Sequence, residues 1–289
     1  MLWATDAPIL PKRVFDVEDD GISMFQGLRQ IFARRDDAAQ PAIPPGERVY
    51  AVGDIHGRLD LFEALVAAIE ADDAQGAPAD TSIILLGDLV DRGPDSAGVV
   101  ALAREWQQRR RVRILAGNHE EMFLRGFSDI ETFRHFLRHG GRETVLSYGV
   151  ERSSFATASM QEAQDIMRAA VPPEDIDFLK GFEDMIAVGD YLFVHAGIDP
   201  RVPLDEQRRH DLRWIREPFL SHPDAHGPVV VHGHTICELP EDCGNRIGID
   251  TGAFMTGRLT ALVLEGTSRR YLEALVGQDG AVAVAPLAA

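Results

Sequence analysis

Short apolar runs punctuate this chain, and five times such a run stops at a small polar cluster. The clearest is Ile83-Ile84-Leu85-Leu86, which passes directly into Gly87-Asp88-Leu89-Val90-Asp91-Arg92-Gly93. Its length and aliphatic composition predict a strand covered on both faces, and the glycines let the chain turn sharply beyond it. Upstream, Arg48–Val52 reads as a strand and Gly53-Asp54-Ile55-His56-Gly57 as the loop after it. Leu61, Leu65, Ala68 and Ile69 then make one face of a helix. Downstream, Pro94 opens a helix predicted to run to about Gln108, and Val112–Leu115 is a strand ending in Ala116-Gly117-Asn118-His119-Glu120. Three β-α units in succession imply a sheet with a parallel portion, and in such sheets ligands bind beyond the carboxyl ends of the strands.

From about residue 120 to 184 the pattern is helical, broken at Gly140-Gly141, Tyr148-Gly149 and Pro172-Pro173, and this insertion is placed to roof the strand ends. Met185–Val188, Gly189-Asp190 and Tyr191–Val194 form a predicted hairpin leading into His195-Ala196-Gly197. A helix carrying Trp214 and Arg216 is expected near 206–220. Val229–Val231 then runs into His232-Gly233-His234-Thr235, and Arg246–Asp250 and Leu259–Leu264 are the last expected strands. Residues 1–46 read as an N-terminal extension in which Ile22, Phe25, Leu28, Ile31 and Phe32 make a helical stripe expected to dock on the body. The domain is then 47–280, and the Ala/Pro tail 281–289 is expected to fray.

Composition narrows the function classes. The 289 residues are 45% hydrophobic, enough to bury the core of one large domain. Lys+Arg 29 against Asp+Glu 46 leaves a net charge of −17, which argues against nucleic acid and anionic membranes as partners and requires a local positive patch for any anionic substrate. Cys237 and Cys243 lack CxxC spacing, so neither a disulfide framework nor a thiolate metal site is indicated. No run reaches the about 18 apolar residues of a membrane span, and the N-terminus lacks signal-peptide order, so the expected compartment is the cytoplasm. Oligomeric state leaves no mark in the pattern.

The five strand-end clusters are Asp54/His56, Asp88/Asp91/Arg92, Asn118/His119, His195 and His234. A lone His is usually structural and a lone Gly-Asp usually a turn; five in series, all of metal-binding or acid-base types, are not. Carboxylate, imidazole and amide oxygen together suit manganese, iron or zinc. Two such ions about 3.5–4 Å apart, sharing one carboxylate, clamp both oxygens of a phosphoryl displacement, and Asp88 is the natural bridge. His135 and His139 are spaced i, i+4 but lack a carboxylate at ligand spacing, so they read as a solvated helix face. His232 shares a strand face with His234, as support or as packing. His210, His222 and His226 are expected at the surface.

GDIHG at 53–57, GDLVDRG at 87–93, GNHE at 117–120, HAG at 195–197 and GHT at 233–235 resemble the motif series of the phosphoprotein phosphatase (PPP) branch of calcineurin-like metallophosphoesterases. The resemblance covers about residues 48–265. Gly140–Thr144, Leu212–Glu217 and Ile249–Ala253 are similar to segments of the bacterial and bacteriophage members. It implies an α/β fold, a four-layer α/β/β/α sandwich with mixed sheets.

It further implies that Asp54, His56 and Asp88 bind one divalent metal and Asp88, Asn118, His195 and His234 a second, with manganese the first choice and iron or zinc alternatives. A hydroxide bridging the two would attack phosphorus in line. Two such ions less Asp54, Asp88 and the hydroxide leave about +1 locally, which reverses the molecular average. Asn118, Arg92 and Arg216 would hold the phosphate; His119 would protonate the leaving oxygen, oriented by Asp91. Related phosphodiesterases end in G-H-x-H, whereas Ile236 stands at that place here, so the implied activity is phosphomonoester hydrolysis on phosphoproteins or small phosphorylated compounds. A serine/threonine phosphatase is the leading expectation and a symmetrical diadenosine tetraphosphate hydrolase the runner-up. An inactive scaffold is disfavoured because every expected ligand is present.

Overall fold

The computed structural model describes residues 40–287, and the stripe from Ile22 to Phe32 lies outside them. The chain first lays down β1 (Glu47–Val52), α1 (Leu59–Gln75), β2 (Asp80–Leu85), α2 (Ser96–Arg109) and β3 (Val112–Ile114), with the three strands paired in parallel. Strand alternation gives each of the first two strands two buried faces. Tyr50, Val52, Ile83 and Leu85 meet Leu61, Phe62, Val99 and Trp106 of the helices, while Val49, Ala51, Ile84 and Leu86 point the other way. Helix α2 starts at Ser96 because the Asp95 side chain accepts the Gly98 N–H at 2.8 Å.

Seven helical segments follow: α3 (Asn118–Gly126), α4 (Ile130–Phe136), a π turn (Leu137–Gly141), α5 (Arg142–Ser147), α6 (Arg152–Thr157), α7 (Met160–Ala170) and α8 (Pro173–Lys180). They carry a separate core in which Phe123, Phe133, Phe136, Phe155 and Met167 are buried together. The remaining elements are β4 (Met185–Val188), β5 (Tyr191–Val194), a 3₁₀ turn (Leu204–Glu206), α9 (Arg209–Trp214), β6 (Val229–His232), β7 (Glu241–Asp242), β8 (Arg246–Gly248), α10 (Ala253–Thr256), β9 (Arg258–Glu265), β10 (Ser268–Val276) and β11 (Val282–Leu287).

Two mixed sheets result among the described residues, ordered β11-β10-β9-β1-β2-β3 and β4-β5-β6-β8-β7. Val49, Ala51, Ile84 and Leu86 pack against Phe193, Val229, Val231 and Ile247, so the sheets stack face to face. The outer face of the second sheet buries Leu192, Val194 and Val230 against Leu212 and Phe219. The layers are therefore α/β/β/α, with the carboxyl ends of β1, β2, β3, β5 and β6 leading into the five polar clusters.

Three expectations need correcting. The tail is not frayed over Val282–Leu287: it pairs antiparallel with β10 from Val276↔Val282 to Tyr271↔Leu287. Its Val/Ala alternation is a weak signal, and Pro286 is tolerated because the strand lies at the sheet edge. The body also begins before residue 47, since Ile43 is buried and donates its N–H to Gly266 O at 3.0 Å, and the Ala42 N–H reaches the Asp190 carboxylate at 2.9 Å. The helix expected near 206–220 is only Arg209–Trp214; Ile215 turns extended (φ −64°, ψ 141°) and Arg216 falls beyond the helix.

Candidate active site

The strand-end loops converge at the edge where the two sheets and α3 meet, and they do so in strained backbone. Among the described residues the non-glycine positions with positive φ are His56 (47°), Asp88 (49°), Asp91 (75°), Arg92 (70°) and His234 (62°). Each costs on the order of 1–3 kcal/mol and persists only where the surroundings over-determine it. Glycines make room for the functional groups: a Cβ at Gly117 would lie 2.1 Å from Asp88 Oδ1, and one at Gly233 would lie 2.0 Å from Asp54 Oδ1.

Glu120 holds the Asp88 loop in this conformation. Its buried carboxylate accepts the N–H groups of Gly117 (2.9 Å), Asp88 (2.9 Å) and Leu89 (2.8 Å). Burial, then the negative charge of Asp88, push this carboxyl above its ordinary range, against the pull of those amides. Glu120→Ala would strand four buried donors, because the Val90 N–H also reaches this carboxylate at 3.3 Å. At about 1 kcal/mol or more each, a loss of at least about 4 kcal/mol of stability is expected in urea unfolding, with Glu120→Gln losing less. A loss under about 1 kcal/mol would show that the loop holds itself.

Asp88 lies between two groups of nitrogens. Its Oδ2 is 3.5 Å from His56 Nε2 and 3.9 Å from His119 Nε2, while its Oδ1 is 3.5 Å from His195 Nε2 and accepts the His119 N–H at 3.0 Å. Burial alone would raise its pKa, but the imidazoles of His195, His119, His56 and His234 override that and keep it ionised. Ligand atoms of His56, Asp88 and His119, and those of Asp88, His195 and His234, form two compact groups sharing this carboxylate.

Donor and acceptor accounting shows what these groups fit. His195 Nδ1 faces the Leu86 carbonyl at 2.8 Å and must donate there; burial pushes its pKa down, which favours the neutral ring, in which Nε2 carries a lone pair. That lone pair faces Asn118 Oδ1 at 3.0 Å, and His234 Nδ1 lies 2.8 Å from the same oxygen. Asp54 Oδ2 accepts the His234 N–H at 3.0 Å, but Asp54 Oδ1 and His234 Nε2 are buried without a partner. Converging lone pairs and orphaned buried ligand atoms suit divalent cations better than a hydrogen-bonded network.

The other expected residues are also placed. His119 Nδ1 donates to Asp91 Oδ2 at 2.6 Å, and burial of that ring is outweighed by Asp88 and Asp91, which raise its pKa. Arg92 donates to His56 Nε2 at 2.8 Å and His119 Nε2 at 2.9 Å, with its guanidinium carbon 4.6 Å from the centre of the Phe254 ring. A cation bound by His56 Nε2 would have to displace it, freeing a planar donor for an anion. Arg216 is exposed and makes no side-chain hydrogen bond with the cluster; its charge is among those that depress His234, after burial and His195. His135 and His139 are exposed with rings 4.0 Å apart and no carboxylate ligand among the described residues. His232 is buried against Phe219 and bonds Gly233 O at 3.0 Å, outside both groups. His210 is exposed, but His222 and His226 are half-buried, because they stack on one another and His226 leans on Phe219.

Sequence reasoning passed over Glu120, Thr144, Asp250 and Phe254. Thr144 donates its hydroxyl to Asp91 Oδ1 at 2.6 Å and accepts the Asp91 N–H at 2.8 Å, which ties the helical insertion to the His119 dyad. Burial pushes both Asp54 and Asp250 up, and the negative charge of Asp250 is the next cause at Asp54. Their neighbouring motifs, GNHE, GGRET and IDTGA, were the available signals.

The calcineurin-like phosphoesterase family model matches residues 47–249. A bis(5'-nucleosyl)-tetraphosphatase of the asymmetrical type from Bacillus velezensis is 27% identical over 237 residues, covering 72% of this chain and 86% of that one. Serine/threonine-protein phosphatase 1 of Salmonella typhimurium is 29% identical over 215 residues, covering 73% and 89%. A cold-active protein tyrosine phosphatase variant of known structure aligns with a TM-score of 0.51 at 20% identity, over 84% of this chain and 83% of the other, a likeness of fold. No helix among the described residues is long and apolar enough to cross a membrane.

Proposed function

The chain belongs to the calcineurin-like phosphoesterases, and from that premise we propose that it is a metal-dependent phosphomonoesterase acting on phosphoserine and phosphothreonine. Asp54, His56 and Asp88 would hold one divalent cation and Asp88, Asn118, His195 and His234 the other. Manganese is the first choice, because oxygen and imidazole donors surround it without thiolate. Bound there, such ions supply Lewis-acid chemistry that makes water a nucleophile and offsets phosphate charge.

The chain's own residues do the rest. Asn118 and Arg92 orient the phosphate, joined by Arg216 from the exposed turn after α9, with the fork of each guanidinium matched to two oxygens. Once Arg92 turns to the phosphate, His119 Nε2 is free to carry a proton and to give it to the departing oxygen, and Asp91, held on Nδ1–H, keeps the ring in the orientation that presents Nε2 to the site.

The observation that carries the choice of substrate is the buried Asp91–His119 pair backed by Thr144. Serine and threonine leave as alkoxides, which are strongly basic and need a proton in the transition state; a nucleotide phosphate leaves as a much weaker base and does not. The dinucleoside reading has its own support, a relative named as a bis(5'-nucleosyl)-tetraphosphatase at similar identity to the protein phosphatase. Steady-state assay of the manganese-loaded protein on phosphoserine peptides against diadenosine tetraphosphate separates the two. Faster turnover of the peptide is expected, and a dinucleotide advantage of an order of magnitude or more in kcat/KM would replace this reading with the other.

A further inference from the structure

A cavity of about 400 Å³ opens in the helical insertion between α4, the π turn, α5, α6 and α7. One wall is cationic, with Arg134, Arg138 and Arg142 recurring at every fourth position; the floor is apolar, with Phe155 buried and Leu137 and Met160 partly so. Arg134 is committed to Glu131. Arg138 and Arg142 form no ion pair or side-chain hydrogen bond with any described residue, and Arg142 Nε is buried without an acceptor. In a chain of net charge −17, an exposed Arg138 and a half-buried Arg142 that find no acidic partner beside an apolar floor, the latter with its Nε buried, are a poor design for stability. They are a good one for holding a carboxylate, sulfonate or phosphate attached to an apolar body.

We propose that this cavity is a second ligand site, for a small amphipathic anion gripped by Arg138 and Arg142 with its apolar part on Phe155 and Met160. The site communicates with the strand-end cluster through its own wall. The π turn from Leu137 to Gly141 departs from helical geometry at His139 and Gly140, and Gly140 O accepts the Arg92 N–H at 3.1 Å. Two residues past Arg142, Thr144 bonds Asp91 at 2.6 Å. An occupant therefore bears on Arg92 and Asp91 together; this coupling, unlike the binding itself, rests on the phosphatase reading above.

Calorimetric titration of the full chain with 2-naphthalenesulfonate, run without phosphate and after chelation so that no cation draws the sulfonate to the strand-end cluster, tests the binding. Saturable one-to-one binding is expected, weakened about tenfold by Arg142→Gln and again by Arg138→Gln, and lost when Ala156→Trp at the exposed rim fills the cavity. Neutral 2-naphthalenemethanol should bind at least about tenfold more weakly than the sulfonate. Absence of saturable binding, or equal affinity in wild type and all three variants, overturns the proposal. For the coupling, the sulfonate should shift KM for para-nitrophenyl phosphate in the wild type and not in Ala156→Trp. An unchanged KM with intact binding refutes the coupling alone, and an inactive but sulfonate-binding protein would instead indict the phosphatase reading.

Discussion

Asp88→Asn is expected to reduce kcat/KM for para-nitrophenyl phosphate by at least about a thousandfold while leaving the fold intact. The substitution keeps the size of the side chain and an oxygen to accept the His119 N–H at 3.0 Å, so the α3 loop retains its anchor. What it removes is the charge. One carboxylate oxygen faces His56 and His119 and the other faces His195, so a neutral amide presents an acceptor to one group and an N–H to the other. Placing a donor against cation ligands withdraws several kcal/mol of transition-state stabilisation, and at about 1.4 kcal/mol per tenfold that amounts to three orders of magnitude. Metal content by mass spectrometry should fall below two ions per chain in the variant, with an unchanged far-ultraviolet spectrum. Removal of the ions from the wild type by a chelator should abolish turnover equally. Activity within tenfold of wild type in either experiment would mean that Asp88 is not shared between two cations.

The clusters around Asp88 were legible because each is local: a strand ends and within seven residues the functional side chains appear. The parallel order of β1, β2 and β3 follows from the β-α repeats, and the pairing of β4 with β5 from the Gly189-Asp190 turn. What could not be read is non-local. The five positive-φ residues look like ordinary L residues in a sequence, and only Glu120, bonded to amides 30 or more positions back, explains how the Asp88 loop tolerates its conformation. Thr144 reaches Asp91 across a separation of 53 residues, through an insertion whose helical pattern announces no contact with the site. Arg92 was expected to serve the phosphate, yet it also braces His56 and His119 against Phe254, a stacking partner that α10 supplies. The β10–β11 edge was invisible for a simpler reason: two adjacent arginines at 269 and 270 and an alternation of valine with small alanines carry little polar contrast, and pairing with β9 supplies the order that propensity does not.

His119→Asn should separate substrates by leaving group. Hydrolysis of a phosphoserine peptide is expected to slow by roughly 10²–10⁴-fold, the usual contribution of a general acid, whereas para-nitrophenyl phosphate, whose phenolate departs readily, should slow by about tenfold or less. Asparagine cannot deliver a proton, so the deficit has to scale with the basicity of the departing oxygen. Thr144 extends the test to positioning. Its hydroxyl occupies Asp91 Oδ1, leaving Oδ2 for His119 Nδ1, and Ser96 Oγ lies 3.0 Å from it in the same buried group. Thr144→Val keeps the shape and deletes this donor, which frees the Asp91 carboxylate to rotate and loosens the ring it orients. The same leaving-group bias should appear in weaker form, about tenfold on the phosphopeptide, and Thr144→Ser should restore most of the loss because the hydroxyl returns. A structural defect would instead slow both substrates alike and would not distinguish serine from valine in this way. Equal losses on both substrates in His119→Asn would remove the proton-donor role from His119 and leave it as a support for the Asp88 loop.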